Sequence, residues 1–169
     1  VMSNGGVEGG FEACVTSIPP VPTGGNTCDS AIELCDKYAD FTFDMSIRGS
    51  TNWQPPCFTN TVNNDIWLEF TVTKTGQLAF EATPTGSNAN SVELDWALYD
   101  VTSGNCPATP GDNLISCNYD YAEGTGKSSG MSDFKNIDEY NDMVTVTAGR
   151  SYVILMDYYE GDPQDMNFK

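Results

Sequence analysis

Apolar and polar residues alternate in several stretches of this chain, and the longest alternation begins at Ile66. Every second residue from 66 to 72 is apolar, and the alternation resumes at Leu78 after the segment 74–76, which ends in Gly. A period of two is typical of a strand with one buried face. A three-residue connection with Gly in last place favours a tight turn with that Gly in the left-handed conformation. We therefore predict a β-hairpin over residues 63–83.

The same alternation predicts a chain made almost entirely of strands. Further strands are expected over residues 41–48, 92–101, 114–117, 144–146, 152–158 and 166–169. A glycine-containing turn at 148–150 predicts a second hairpin, and at most one short helical turn is expected, within residues 26–37. Seven or eight amphipathic strands with such turns predict an all-β fold, an antiparallel β-sandwich of the jelly-roll type.

The distribution of Gly and Pro predicts how the chain is divided. Residues 1–25 are rich in both and lack periodicity, which indicates a linker or an extended arm. Residues 26–169 form the predicted sandwich domain, whose last strand is expected to be cut short or completed by another segment. Residues 49–63 and 118–141 are predicted to be loops.

The charge of the chain narrows the choice of partners. It has 24 acidic and 7 basic residues and a formal charge of −17. Such a surface repels nucleic acids and anionic membranes and attracts cations. Because the sequence has no run of about 18 apolar residues, no membrane insertion is expected either. Any signal peptide is expected to have been removed or to lie outside this sequence.

Six cysteines and no histidine are present. An even number of irregularly spaced cysteines without a C-x-x-C motif predicts disulfides, and therefore a secreted or extracellular protein. Fifteen pairings are possible for six cysteines. We favour Cys106 with Cys117, which flank one loop between two strands, followed by Cys35 with Cys57 and Cys14 with Cys28.

The absence of histidine also removes the usual catalytic arrangements. Neither a Ser-His-Asp triad nor a His-ligated zinc can form. Glu93 and Asp95 lie on one face of a strand, about 7 Å apart between Cα atoms, and carboxylate pairs at such separations serve glycosidases. That spacing is common in strands and catalysis needs burial, so we predict that the domain is not an enzyme.

Calcium is the metal that this composition favours, because it binds carboxylate, amide and carbonyl oxygens and needs no His or Cys. The sequence offers three separate clusters of oxygen ligands: one at the start of the domain and of the strand at 65, one at 93–95 with the loop after Cys117, and one after residue 156. The predicted ligands are Asn26, Asp29, Asp65, Glu93, Asp95, Asp120, Asp157 and Asp162. The alternative is that most of these acids form a solvated surface.

Several aromatic residues fall in predicted loops or near strand ends, where they could stack on a sugar or a partner protein. The candidates are Trp53, Tyr119, Tyr121 and Tyr159. An accessory carbohydrate-binding domain of a secreted hydrolase is therefore an alternative function, although such residues also serve as ordinary packing at the rim of a domain.

Four stretches together resemble a known family. Residues 26–35, residues 64–72 with Gly76, residues 95–100, and the segment from Cys106 to residue 120 are similar to β-sandwich repeats of large secreted and surface-anchored proteins of the Bacteroidota, among them adhesion proteins exported by the type IX secretion system. In layout they also resemble bacterial pre-peptidase C-terminal domains. The resemblance covers residues 26–169.

The resemblance implies a jelly-roll-like, non-catalytic module used in adhesion, spacing or substrate binding. Its partners would be neighbouring modules or subunits of the same protein, and surface glycans. The pre-peptidase group implies calcium at Asn26, Asp29 and Asp65, although Gly24-Gly25 replace the acidic pair usual before the Asn. Separately, Asp29-Ser30-Ala31 resembles the short acceptor pattern for O-glycosylation in Bacteroidota, with Ser30 as the attachment point. The sequence thus predicts a calcium-stabilised adhesion or structural module of a larger surface or filament protein.

Overall fold

The computed structural model describes residues 24–34, 41–45, 51–62, 64–87, 89–119, 127–133, 139–159 and 165–169. Its strands are β1 (Ile32–Glu33), β2 (Phe41–Asp44), β3 (Asp65–Thr71), β4 (Gly76–Leu78), β5 (Phe80–Thr85), β6 (Glu93–Asp100), β7 (Leu114–Asn118), β8 (Ser129–Met131), β9 (Tyr140–Asn141), β10 (Val144–Val146), β11 (Ser151–Tyr159) and β12 (Asp165–Phe168). Two short 3-10 turns, at Cys28–Ser30 and Ala89–Ser91, accompany them. The first of these turns lies in the predicted helical segment, and the pattern did not predict the second.

The strands form two five-stranded sheets packed as a sandwich. Sheet I has the order β1-β3-β11-β6-β7, sheet II has the order β2-β12-β5-β8-β9, and β4 and β10 form a small third sheet. Without the two-residue strands β1 and β9, the layers are β3-β11-β6-β7 and β2-β12-β5-β8, which is the strand order of a jelly roll. The predicted all-β, jelly-roll-like sandwich is confirmed. The pairs β1/β3 and β8/β9 are parallel, and the other pairs in the described part of the chain are antiparallel.

Both predicted hairpins are wrong. β3 pairs with β11 in sheet I, whereas β4 pairs with β10 and β5 lies in sheet II. The chain crosses between the layers after Thr71 and again at Gly149, which has a φ of 79°. The two crossings are joined, because Gly149 N–H donates to the Val72 carbonyl (2.7 Å) and Val72 N–H to the Arg150 carbonyl (2.9 Å).

The apolar residues of the alternating strands fill the space between the sheets. Ile66, Leu68 and Phe70 of β3 face residues such as Phe80 in this inner core. Both strands of a predicted hairpin send apolar side chains into this one core. The alternation is therefore the same whether two strands pair edge to edge or face each other across the sandwich.

A second apolar cluster covers the outer face of sheet I, which the pattern predicted to be polar. Its buried members are Phe58, Val62, Trp67, Ala97, Tyr99, Val101, Val153 and Leu155. Phe58 and Val62 come from residues 51–62, which lie over this face and which we call the covering loop. Backbone hydrogen bonds from Val62 to Trp53 (2.9 Å) and from Phe58 to Pro55 (2.9 Å) give the covering loop its shape.

The stretch predicted as one loop over residues 118–141 contains two short strands, β8 and β9. β8 carries no alternation, since its three residues are all buried. Gly130 in β8 lies so close to β5 that an added Cβ would be 2.1 Å from the Phe80 carbonyl oxygen. Strand pairing there depends on backbone contact, for which hydrophobic periodicity gives no signal.

The structure confirms disulfides but corrects the predicted pairing. Cys28 bonds to Cys106, and Cys57 bonds to Cys117. Cys117 lies three residues inside β7, about 10 Å along the strand from the loop that contains Cys106, so closeness in sequence did not bring those two together. Since Cys28 and Cys57 have other partners, their predicted pairings with Cys14 and Cys35 are wrong as well. Cys14 and Cys35 themselves lie outside the described residues, as does the predicted arm over residues 1–23.

The two disulfides cross-link segments that flank sheet I. One joins the N-terminal 3-10 turn to the loop after β6, and the other joins the covering loop to β7. Both are compatible with an oxidising compartment. Within the described ranges, no helix has the length and apolar character needed to cross a membrane.

Candidate functional site

Three aspartates from three neighbouring strands stand side by side on the outer face of sheet I. Asp157 in β11 is directly opposite Asp65 in β3 and also directly opposite Asp95 in β6. Directly opposed residues of antiparallel strands point to the same face, with Cβ atoms about 4.5–5.5 Å apart. We call these three residues the aspartate row.

The aspartate row is buried. The exposed fractions of Asp65, Asp95 and Asp157 are 0%, 0% and 1%. Two residues further along the strands, on the same face, Trp67 and Leu155 belong to the outer cluster. The carboxylates therefore lie at the border of an apolar surface, where charge is poorly solvated.

Several donors hold the row in place. The Trp67 indole N–H donates to Oδ2 of Asp65 (2.9 Å), and the Thr51 hydroxyl donates to the same oxygen (3.3 Å). The backbone N–H of Asn64 donates to Oδ1 of Asp157 (3.1 Å). Because Thr51 begins the covering loop, the loop contributes to the site as well as to its burial.

The chemistry of the row suits a hard cation. Like charges buried side by side are costly unless a proton, a cation or hydrogen-bond donors compensate them. Carboxylate oxygens are the preferred ligands of Ca²⁺, which takes six to eight oxygens at about 2.3–2.6 Å. In the described part of the chain, however, no group of three or more His, Cys, Asp or Glu side chains is placed so that it could hold a metal ion. The row supplies the type of donor atom that Ca²⁺ takes, and calcium binding there stays a prediction.

The structure brings together one residue from each of the three predicted calcium clusters. Asp65, Asp95 and Asp157 were assigned to different clusters because they are far apart in sequence. Glu93 is on the same strand face as Asp95, opposite Tyr159, but is only partly buried. Glu93 and Asp95 are therefore neighbours on one face of β6, as the sequence predicted, but they differ in burial.

The remaining predicted ligands do not join the aspartate row. Asn26 and Asp29 are exposed near the first 3-10 turn, at the edge of β3 where the Trp67 backbone N–H donates to the Gly25 carbonyl (2.7 Å). Asp120 and Asp162 lie outside the described residues. The described carboxylates of the site thus come from the sheet itself.

The predicted ligand-binding aromatics have different surroundings. Tyr119 packs against Phe58 (5.4 Å between ring centroids), and its hydroxyl bonds that of Thr59 (2.6 Å), so it attaches the covering loop to β7. Trp53 is partly exposed and lines a depression beside the first disulfide. Tyr121 and the side chain of Tyr159 lie outside the described residues.

Tyr99 is a buried residue at this site that the sequence analysis did not single out. Its hydroxyl accepts the Trp53 indole N–H (3.1 Å) and donates to the Pro110 carbonyl (3.1 Å). Burial raises the pKa of Tyr99 to about 12, an effect that the hydrogen bond from Trp53 partly opposes. The alternation placed Tyr99 on the face expected to be solvated, whereas in the structure the covering loop and the segment at Pro110 lie over it.

Ser30, the predicted glycosylation site, is exposed at the end of the first 3-10 turn. Its hydroxyl donates to the Thr27 carbonyl (3.2 Å) and accepts the Thr27 backbone N–H (3.2 Å). A glycan at Ser30 would compete with this local capping, and its presence stays a prediction.

Comparison with known proteins adds no assignment to this geometry. The chain matches no protein-family model, and no curated protein matches it significantly. The function of the site therefore rests on the chemistry of its own residues.

Proposed function

We propose that this chain is a non-catalytic module of a larger secreted or surface-exposed protein, that it serves adhesion or spacing, and that calcium stabilises it. The observation that carries the proposal is the aspartate row, with three buried carboxylates on adjacent strands. The row lies among the most extensively paired strands of sheet I. An ion bound there would link β3, β11 and β6 across the middle of the sheet.

Calcium fits the row better than zinc or copper does. The row offers only oxygen ligands, and the chain has no His, which weighs against zinc and copper. Asp65, Asp95 and Asp157 would hold the ion. Bound Ca²⁺ would supply positive charge that offsets the burial of like charges, and the H-bond donors at Asp65 and Asp157 would orient the carboxylates.

A structural role is supported by the way the outer face is built. One disulfide fixes the covering loop to β7 of sheet I, and the other joins the first 3-10 turn to the loop after β6. A jelly roll fixed in this way is suited to an oxidising environment and to bearing load, and the missing histidines remove the commonest catalytic groups. Adhesion through neighbouring modules of the same protein agrees with the resemblance to the Bacteroidota repeats.

The test compares thermal unfolding with calcium and with a chelator. A ligand that binds only the folded state stabilises it by RT ln(1 + [L]/Kd), which is about 2.7 kcal/mol when calcium is at 100 times its Kd. We expect this increment in the wild-type chain and expect Asp157→Asn to lose most of it, since Asp157 is the central member of the row. In chelator, Asp157→Asn should be no less stable than the wild type, because one of three like charges is removed.

Asp165→Asn provides the matched control. Asp165 is an exposed residue of β12 in sheet II, and the substitution makes the same change of charge outside the row. It should keep the full calcium increment. An unchanged melting temperature of the wild-type chain on adding calcium would refute the calcium site, and equal calcium responses of the two variants would place the ion elsewhere.

The module role is tested on the parent protein. Sandwich domains in tandem on either side of this one, together with loss of adhesion when this domain is deleted, would support it. A catalytic domain in the same protein would favour the alternative of an accessory carbohydrate-binding domain.

A further inference from the structure

A small depression on the outer face lies beside the aspartate row and is lined largely by aromatic and apolar groups. Its volume is about 240 Å³, and its walls include Trp53, Trp67, Pro107 and the Cys28–Cys106 disulfide. Thr27, Asp29 and Thr51 contribute the polar part of the lining. A volume of this size accommodates a small organic group of a few heavy atoms.

The aromatic walls are held rigidly. The Trp53 indole N–H donates to the Tyr99 hydroxyl (3.1 Å), and the Trp67 indole N–H donates to Asp65 (2.9 Å). The two indoles also contact each other nearly at right angles, with ring centroids 5.8 Å apart. Because both N–H groups are used inside the protein, the surfaces left to a ligand are ring carbons.

Among its described lining residues, the depression offers one charged side chain and two hydroxyl groups. The Thr51 hydroxyl donates to Asp65, and the Thr27 hydroxyl bonds that of Ser30 (3.0 Å). Asp29 is exposed, so its carboxylate is accessible to a ligand. The depression therefore combines aromatic surface with one accessible negative charge.

We propose that this depression binds an alkylated ammonium group, with the cation against Trp53 and Asp29 at its rim. Aromatic faces attract such cations through the ring quadrupole, most strongly for Trp, and quaternary ammonium groups are commonly held by aromatic side chains. The formal charge of −17 draws cations to the surface and repels anionic ligands. This site goes beyond the structural role proposed above and depends on neither calcium nor the neighbouring modules.

A neutral sugar fits these groups less well. Sugar recognition needs several directed hydrogen bonds in addition to stacking, and the two threonine hydroxyls already have partners in the protein. An ammonium group with methyl or methylene substituents needs only aromatic contact and a nearby carboxylate. We therefore infer an alkylated ammonium ligand from two features of the described lining: it contains two tryptophans, and it has few side chains that could bond a sugar hydroxyl.

The test follows the three tryptophan indole N–H signals by two-dimensional NMR during titration with choline chloride, with sodium chloride adjusted to keep ionic strength constant. The matched probe is 3,3-dimethylbutan-1-ol, which has the shape of choline without its charge. Choline should shift the signals of Trp53 and Trp67 saturably. The signal of Trp96, which packs against Phe80 in the inner core, should stay in place as an internal control.

Two variants separate the parts of the proposed site. Trp53→Leu keeps an apolar wall but removes the ring and should weaken choline binding at least tenfold, whereas Asp29→Asn should weaken it roughly two- to fivefold, as expected for an exposed charge pair. Asp112→Asn, at an exposed residue outside the depression, should change nothing. Melting curves of all variants show whether each is folded.

The proposal would be overturned if choline shifts no indole signal, if the neutral alcohol binds as tightly as choline, or if folded Trp53→Leu binds choline like the wild type. Glucose or galactose shifting Trp53 where choline does not would also overturn it, in favour of a sugar site.

Discussion

The disulfide between Cys57 and Cys117 should stabilise the fold mainly by restricting the unfolded chain, and it also fixes the covering loop to β7. The perturbation is the double replacement Cys57→Ser and Cys117→Ser, which leaves the Cys28–Cys106 bond intact. In the structure, Cys57 lies in the covering loop and Cys117 in β7, with a sequence separation of 60. Removing the bond frees the loop in the unfolded chain and weakens its attachment in the folded one.

The size of the effect follows from the length of chain that the bond closes. The chain-entropy model gives a stabilisation of about 4 kcal/mol for a closed loop of this length. The Cys28–Cys106 bond provides a shorter path of roughly 40 residues between the same two cysteines, which lowers the figure by only a few tenths of a kcal/mol because the dependence is logarithmic. We therefore expect the double variant to lose about 4 kcal/mol.

The assay is urea unfolding of the oxidised proteins, followed by far-UV circular dichroism. Loss of either cross-link expands the unfolded chain and raises the m-value, but detachment of the covering loop in the folded state lowers the surface newly exposed on unfolding. The first variant should therefore have a lower m-value than a variant that lacks the other disulfide, together with a lower midpoint than the wild type. The control is the double variant Cys28→Ser and Cys106→Ser, which should lose a similar free energy while the covering loop stays fixed to β7. A stability within 1 kcal/mol of the wild type for the first variant would refute the role given to this bond.

Two further predictions concern single positions. Gly130→Ala should destabilise the fold by about 1–3 kcal/mol in thermal melts, because its Cβ would overlap the Phe80 carbonyl. The control Gly111→Ala, whose Cβ would lie 3.5 Å from its nearest neighbour, should cost little, and equal effects of the two substitutions would contradict the backbone contact. Burial, and then the charge of Glu33 opposite it, raises the pKa of Glu69, so the folded chain holds the Glu69 proton more tightly than the unfolded chain does. The protein therefore loses stability as pH rises from about 4.5 through the raised pKa. Glu69→Gln should therefore stabilise the protein at pH 7 by about 0.2–1 kcal/mol, with the gain vanishing in acid; a loss of stability at pH 7 in urea unfolding would contradict this.

Residue alternation was sufficient to predict the strands of the inner core. β3, β6 and β11 were predicted within a few residues, because one face of each is uniformly apolar. The pairing of strands could not be predicted in the same way. Leu78 and Phe80 would be buried in a hairpin with β3, and they are also buried in the structure, where Leu78 lies in β4 of the small third sheet and Phe80 in β5 of sheet II. Both hairpins were therefore predicted from turns that in fact connect different sheets.

The aspartate row shows a different limit of prediction. Asp65, Asp95 and Asp157 were each predicted as calcium ligands, and each lies on the outward face of its strand. Nothing in the spacing along the chain indicates that they are neighbours, since their adjacency results from the register of β11 with β3 on one side and β6 on the other. The type of ligand atom could be predicted from the residue types. The position of the site could not, because it depends on the order and register of the strands.

Burial of the outer face explains why the cross-links and the charged site occur together. The inner core is held by extended apolar contact between two sheets and has no described disulfide within it. On the outer face of sheet I, the covering loop reaches Asp65 through Thr51 and Tyr99 through Trp53, and its described residues form few backbone hydrogen bonds with one another. Such a loop gains little from secondary structure, so its covalent attachment to β7 through Cys57 adds stability that hydrogen bonding does not supply. Calcium bound at the aspartate row would act on the same face by offsetting buried negative charge, and the disulfide and the ion would together maintain an interior that alternation alone predicts to be surface.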